Sequence, residues 1–253
     1  MNEKRKEVEM FKNLFLAFFL FALSFLLRTA SGYIINDSFS VLLSNCVSVI
    51  SSVLPFLIYR IFYKSDIKKT KKQNGSDALP IFFSALLLAN IVTVIEKIAV
   101  NYFEFSSNNT DIPRLGAFEF LVYILFSVLF VPVAEEYIFR KNLLEILSEY
   151  GVLPSLIASS LLFCLIHPFG AKSYAFIMGI AFCLIFMRCG FKYSIIFHMI
   201  NNSINIILSI FQKSFGAKVD IFYSIFVLAA GIISAFLIIK KILKGGGKNR
   251  KKT

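Results

Sequence analysis

Residues 118–140 read FEFLVYILFSVLFVPVAEEYIFR. From Phe120 to Ala134 there is no charge, and then two adjacent carboxylates follow, Glu135 and Glu136, with Arg140 four residues beyond the second. The apolar run, about 117 to 138, has the ~20 residues needed to cross the hydrocarbon of a bilayer. On a helix Glu136 and Arg140 share a face, whereas Glu135 is turned about 100° away from Glu136. One carboxylate is then held by the guanidinium and the other is left to point elsewhere. Pro132 lacks a backbone donor, which in a regular α-helix frees the carbonyl of Val128 and predicts a kink just ahead of the pair.

Seven further apolar runs surround this one, at about 13–33, 39–60, 80–100, 152–170, 174–188, 193–212 and 221–239. Across the 253 residues 57% are apolar and 17% charged, with a mean hydropathy of +0.74, whereas a soluble domain carries about a quarter charged residues. That balance excludes a soluble enzyme, a disordered chain and a disulfide scaffold. Eight runs of ~20 residues leave no room for a separate soluble domain. The expected fold is therefore all-α: a polytopic membrane protein of about eight transmembrane helices.

The net charge of +12 would suggest nucleic acid or anionic lipid, but placement matters more than the sum. Sorted by alternating sides of the runs, 21 of the 27 basic residues fall on one side; Arg28, Lys97, Arg114, Lys172, Lys213 and Lys218 fall on the other. The positive-inside rule then puts both termini in the cytoplasm with an even number of spans. A nucleic-acid partner would need these charges on one folded face and is not expected. The first run resembles a signal peptide, yet Arg28 stands where cleavage wants small residues, so it reads as an uncleaved helix.

The expected organisation is three N-terminal helices with a basic cytoplasmic loop (1–110), a catalytic transmembrane core (111–244) and a flexible basic tail (245–253). Lys64 to Ala78 is the polar loop. Cys46, Cys164, Cys183 and Cys189 have no paired metal-site spacing and read as free thiols.

An ionisable group in a span costs on the order of 2.5–3.5 kcal/mol and needs a partner, a wet cavity or a function. The two histidines, His167 and His198, both lie in apolar runs. Phe163 and His167 are an i, i+4 pair, with Pro168 marking a helix end; His198 and Asn202 form a second such pair, with Asn201 and Asn205 nearby. A glutamate beside an imidazole in a partly dry cavity takes a proton from water, while a second imidazole and an amide donate to a tetrahedral oxyanion. That set makes a water-activated peptide hydrolase without a covalent step. Gly-x-Ser-x-Gly, His-Glu-x-x-His and Gly-x-Gly-Asp sites are absent.

Glu135-Glu136-x-x-x-Arg140, then Phe163-x-x-x-His167, then His198-x-x-x-Asn202, in this order on successive hydrophobic helices, resembles the CAAX protease and bacteriocin-processing (CPBP, Abi) family. The likeness covers roughly Ala117 to Phe211. It implies an eight-helix intramembrane endopeptidase in which Glu135 activates water, His167 is its partner, His198 and Asn202 stabilise the oxyanion, and Glu136, Arg140 and Phe163 support them. Family usage includes "metalloprotease", and Glu135, His167 and His198 could hold zinc with water in the fourth place; a metal-free mechanism is preferred because Asn202 is a poor zinc ligand. Substrates would be peptides or membrane-associated protein tails. The eukaryotic branch cuts prenylated tails, the bacterial branch is linked to peptide maturation and bacteriocin self-immunity, and the Lys-, Asn-, Ile- and Phe-rich composition favours a bacterial plasma membrane.

Two other readings stay open: a non-catalytic immunity or regulatory protein of the same fold, and a proton-coupled transporter, against which the lack of two related halves counts. For a transporter, Glu96, Lys97 and Glu119 are the residues to watch; they otherwise read as snorkelling residues at the interface. The limits of the runs put Glu135 near the cytoplasmic end of its helix and His167 towards the outer end of the next. A shared site therefore requires a continuous helix from about Phe118 to Ser148, with Glu135 well inside the membrane.

Overall fold

A computed structural model describes residues 3–34, 41–62, 75–102 and 117–249. Most of the expected loop (63–74), Arg114 and the last four residues lie outside the described residues, as does the side chain of Lys97. The described residues form eight long helices and no strand: α1 Glu3–Ile34, α2 Val41–Phe62, α3 Ala78–Tyr102, α4 Ala117–Tyr150, α5 Val152–Leu165, α6 Lys172–Cys189, α7 Phe191–Phe215 and α8 Ala217–Asn249. Seven are long and apolar enough to cross a membrane. The exception is α5: the run expected over 152–170 is helical for only 14 residues, about 21 Å against the ~30 Å of hydrocarbon. Pro168 stops it, because the residues before a proline are driven from helical geometry. At the other extreme, α8 continues past Gly245 to Asn249, so the start of the expected flexible tail is helical; extending a long helix adds one bond per residue without a new nucleus.

The required α4 is one unbroken helix of 34 residues, about 51 Å long, with Glu135 near its middle. It is not uniform. Phe126–Phe130 and Tyr137–Leu144 are widened π-helical stretches, and the six α-helical residues between them, Val131–Glu136, carry both glutamates. Such widenings recur at functional sites because they re-aim side chains.

Two single-residue corners set the helix pairing. Gly151 (φ +94°) joins α4 to α5 and Gly190 (φ +99°) joins α6 to α7, a backbone region that side chains disfavour. Residues equally far from such a corner lie at about the same height on the two antiparallel helices. Glu135 and His167 are each sixteen residues from Gly151; Phe182 and His198 are each eight from Gly190. The depth mismatch inferred from the apolar runs therefore closes.

Packing forms two main apolar clusters. One joins α1, α2, α4 and α5 through Ala17, Leu20, Phe56, Phe139, Leu143 and Phe163. The other joins α3, α6, α7 and α8 through Phe82, Leu86, Phe182, Ile185, Phe197 and Val227. The exterior carries large exposed apolar side chains, Phe11, Phe118, Phe222 and Ile242 among them, as expected of a surface that meets lipid. All four cysteines are free thiols.

Candidate active site

Arg140 lies where the two clusters meet. It is completely buried, its guanidinium carbon 4.6 Å from the ring centre of Phe163 and 5.6 Å from that of Phe182. Its Nη2 donates to the carbonyl of Gly179 at 3.1 Å. Its Nε is 3.4 Å from Oε2 of Glu136, the i, i+4 partner, itself fully buried. A buried cation without such a counter-charge is strongly destabilising, so the pair holds the helix face on which the site is built.

Glu136 has further partners. Ser194 Oγ donates to Oε2, and Oε1 is 2.9 Å from His198 Nδ1. The carboxylate oxygen only accepts, so Nδ1 carries the proton, and the opposite ring nitrogen, Nε2, is turned to Oε2 of Glu135 at 3.5 Å. His198 is thus strung between the two carboxylates. Phe182 stacks on its ring at 4.5 Å and Phe163 meets it edge-on at 5.7 Å, which fixes the ring plane.

His167 sits in the turn after α5. Its Nδ1 is 2.8 Å from the carbonyl of Phe163; a carbonyl cannot donate, so Nδ1–H is the donor and a neutral His167 keeps an acceptor at Nε2. Phe163 packs against this ring as well, at 4.6 Å. The charges of Glu135, His198 and Arg28 all act on His167, so these four groups share one neighbourhood.

Glu135 is buried and opens on a cavity of about 20 Å³ lined also by Ser24, Arg28, Ser52 and Ile166. That volume exceeds the ~10–15 Å³ needed for one water, and the wall supplies polar partners. Arg28 is half-buried inside α1; its carbonyl accepts from Ser48 Oγ at 2.9 Å and from Ser31 Oγ at 3.0 Å, and its side chain lines the cavity beside Glu135.

Asn202 is placed differently from the imidazoles. Its Nδ2 donates to the carbonyl of Ser127 at 3.0 Å, in the first widened stretch of α4. There Val131 N–H bonds to the carbonyl of Phe126, five residues back. In that register the next donor, for Ser127, would be residue 132, which is proline. The Ser127 carbonyl therefore has no backbone donor in that register, and the Asn202 amide supplies one. Asn201 Oδ1 instead accepts from the Tyr174 hydroxyl at 2.6 Å.

Among the described residues no three His, Cys, Asp or Glu side chains are gathered so as to hold a metal ion. His198 Nε2 and Glu135 Oε2 face each other at 3.5 Å, but His167 is not gathered with them as a third ligand, and no step is derived through a metal. Glu96 accepts from Ser173 Oγ, and Glu119 also has an interaction.

Sequence reasoning missed Ser194, Phe182, Gly179 and Arg28. Ser194 is legible in hindsight, since it precedes His198 by four residues and so shares its face. Phe182 and Gly179 follow from the Gly190 corner and close helix contact. Arg28 comes from a helix far away in sequence; its one local signal is a charge inside the apolar run 13–33.

No curated protein and no solved structure matches the chain. Residues 117–204 match the family model described as Rce1-like, type II CAAX prenyl endopeptidase, and that interval contains Glu135, Glu136, Arg140, His167, His198 and Asn202. Over residues 117–204, about a third of the chain, the protein is thus similar to the Rce1-like CAAX endopeptidases, in agreement with the motif order and the helices that carry it.

Proposed function

We propose that the protein is an intramembrane endopeptidase that hydrolyses a peptide bond with a water activated by Glu135. The observation that carries this reading is His198 held at 2.9 Å from Glu136 and 3.5 Å from Glu135, with Glu135 itself lining a water-sized cavity. In the reaction water adds to the scissile carbonyl carbon while Glu135 takes its proton. The resulting oxyanion is opposed by positive charge at Arg28 and, as the family resemblance implies, by His198. Glu135 returns its proton to the amide nitrogen, the carbon–nitrogen bond breaks, and a carboxyl and an amine leave. His167 Nε2 serves as acceptor for the second hydrogen of the water. Glu136, Arg140, Ser194, Phe163 and Phe182 hold His198 in place.

The substrate class is a peptide or membrane-associated protein tail, reached from the cytoplasmic side of a bacterial plasma membrane, in peptide maturation or bacteriocin self-immunity. One observation favours the non-catalytic alternative, an immunity or regulatory protein of this fold: the Asn202 amide is already engaged by Ser127. The test is cleavage of a membrane-tethered reporter peptide by the full-length protein in proteoliposomes, with and without chelator. Wild type should cleave in either buffer, and Glu135→Gln and His198→Asn should lose turnover while eluting as folded monodisperse species. Full turnover by the Glu135→Gln variant overturns the mechanism; loss of wild-type turnover with chelator moves it to a metal.

A further inference from the structure

A second and much larger cavity, about 570 Å³, lies between α3, α6 and α8, on the far side of α6 from Arg140. Its volume is in the range of built ligand sites, ~300–1,000 Å³. The walls are aliphatic, with Leu88, Ile177, Ala181 and Leu237 among them. The charged residues are confined to one end: Asp77, Arg188 and Lys241. These three are at or next to the ends of the apolar spans Gly75–Glu96, Phe169–Cys189 and Ala217–Leu243, so the polar end opens at a membrane–water boundary. From Asp77 to Leu88, and from Arg188 to Ile177, the lining runs eleven residues along a helix, a depth of about 16 Å.

The polar end is unbalanced. Lys241 is paired with Asp77, whereas Arg188 is exposed and makes no hydrogen bond or ion pair to a described residue. All three charges act at the buried Cys189, so they form one cluster of net charge +1 with a guanidinium to spare. Deeper in, Ser84 Oγ is buried without a hydrogen-bond partner and lines the same cavity. It lies seven residues, about 10 Å, along α3 from Asp77.

The geometry points to a binding site for an anionic glycerophospholipid, its phosphate on Arg188 and Lys241, an acyl chain along the aliphatic wall and its ester region within reach of Ser84. Guanidinium matches phosphate in a two-pronged geometry; a choline headgroup offers the same phosphate but adds an ammonium that the net positive cluster repels, whereas an anionic headgroup does not. Basic recesses between helices at the membrane surface select acidic headgroups for this reason. The inference is independent of the protease reading, because it uses none of the residues around Glu135 and its test measures no cleavage.

The experiment uses the full chain in mild detergent, with native mass spectrometry and thermal unfolding as readouts. Phosphatidylglycerol and phosphatidylcholine of identical chains are the probes, and palmitate and a prenylated peptide are competitors. Wild type should retain phosphatidylglycerol over phosphatidylcholine by about fivefold or more, the effect of roughly one cation at a membrane surface, and gain thermal stability with the former only. Arg188→Gln, on an exposed side chain, should erase that preference while still binding both lipids weakly. Ala85→Phe, which fills the apolar wall, should lower retention of both; if it does not fold, Arg188→Gln decides alone. Equal retention of the two lipids by wild type, or an unchanged preference in Arg188→Gln, overturns the proposal. Full displacement by palmitate or by the prenylated peptide also overturns it, assigning the cavity to a fatty acid or to substrate.

Discussion

The link between Asn202, Ser127 and Pro132 makes a prediction that separates two roles for the asparagine. Among the described residues, Asn202→Ala removes the one side-chain donor to the Ser127 carbonyl. Pro132→Ala restores a backbone N–H that can turn back to that carbonyl and close the gap. A buried carbonyl left without a partner costs about 1–3 kcal/mol, and interhelical hydrogen bonds in membranes average about 0.6 kcal/mol. Asn202→Ala should therefore destabilise the fold by about 0.6–2 kcal/mol, and the double variant should recover most of that loss. The assay is a double-mutant cycle in bicelles: reversible unfolding for stability, and reporter cleavage on the same four proteins. If the amide acts by tying α7 to α4, cleavage returns in the double variant along with stability. Cleavage that stays lost while stability recovers refutes that account and assigns the amide to the oxyanion.

Three other outcomes follow from the same contacts. Glu136→Gln strands the fully buried Arg140 and should cost about 3–5 kcal/mol, with Glu136→Gln/Arg140→Met less destabilised than Glu136→Gln alone; thermal unfolding of both variants measures this, and a near-wild-type Glu136→Gln contradicts it. Gly179→Ala puts a Cβ 3.2 Å from Phe163 Cδ1 and 3.3 Å from Ser160 Cβ, so it should lose about 1–3 kcal/mol by overpacking, visible as a lower midpoint with no loss of helical circular dichroism. Arg28→Gln should fold normally yet drop kcat by about 10²–10³, the loss typical of one group opposing an oxyanion; an unchanged kcat removes Arg28 from the reaction.

Local pattern made much of the site legible. The Glu136–Arg140 pairing is an i, i+4 relation inside one helix, and the Phe163–His167 contact is another, so neither needs the rest of the chain to form. The long α4 was legible for a different reason: without it Glu135 and His167 lie at different depths. The equal spacing of these two residues from Gly151 was also in the sequence, but it becomes informative only when that glycine is known to make a one-residue corner. What local reading could not supply was the partner: Pro132 removes a backbone donor beside the first widened stretch of α4, and a residue from another helix, Asn202, donates to the Ser127 carbonyl there.

Hydrophobic length and charge placement determined a helical membrane protein, and short spacings determined which polar side chains share a face, because both are properties of a single helix in a bilayer. Which faces meet was decided only by tertiary structure. His198 became the bridge between two glutamates, Asn202 the partner of a backbone carbonyl, and Arg28 a wall of the water-sized cavity through contacts among helices distant in sequence. Such contacts depend on how corners and packed aromatic rings set one helix against another, and no periodicity within a single segment encodes that.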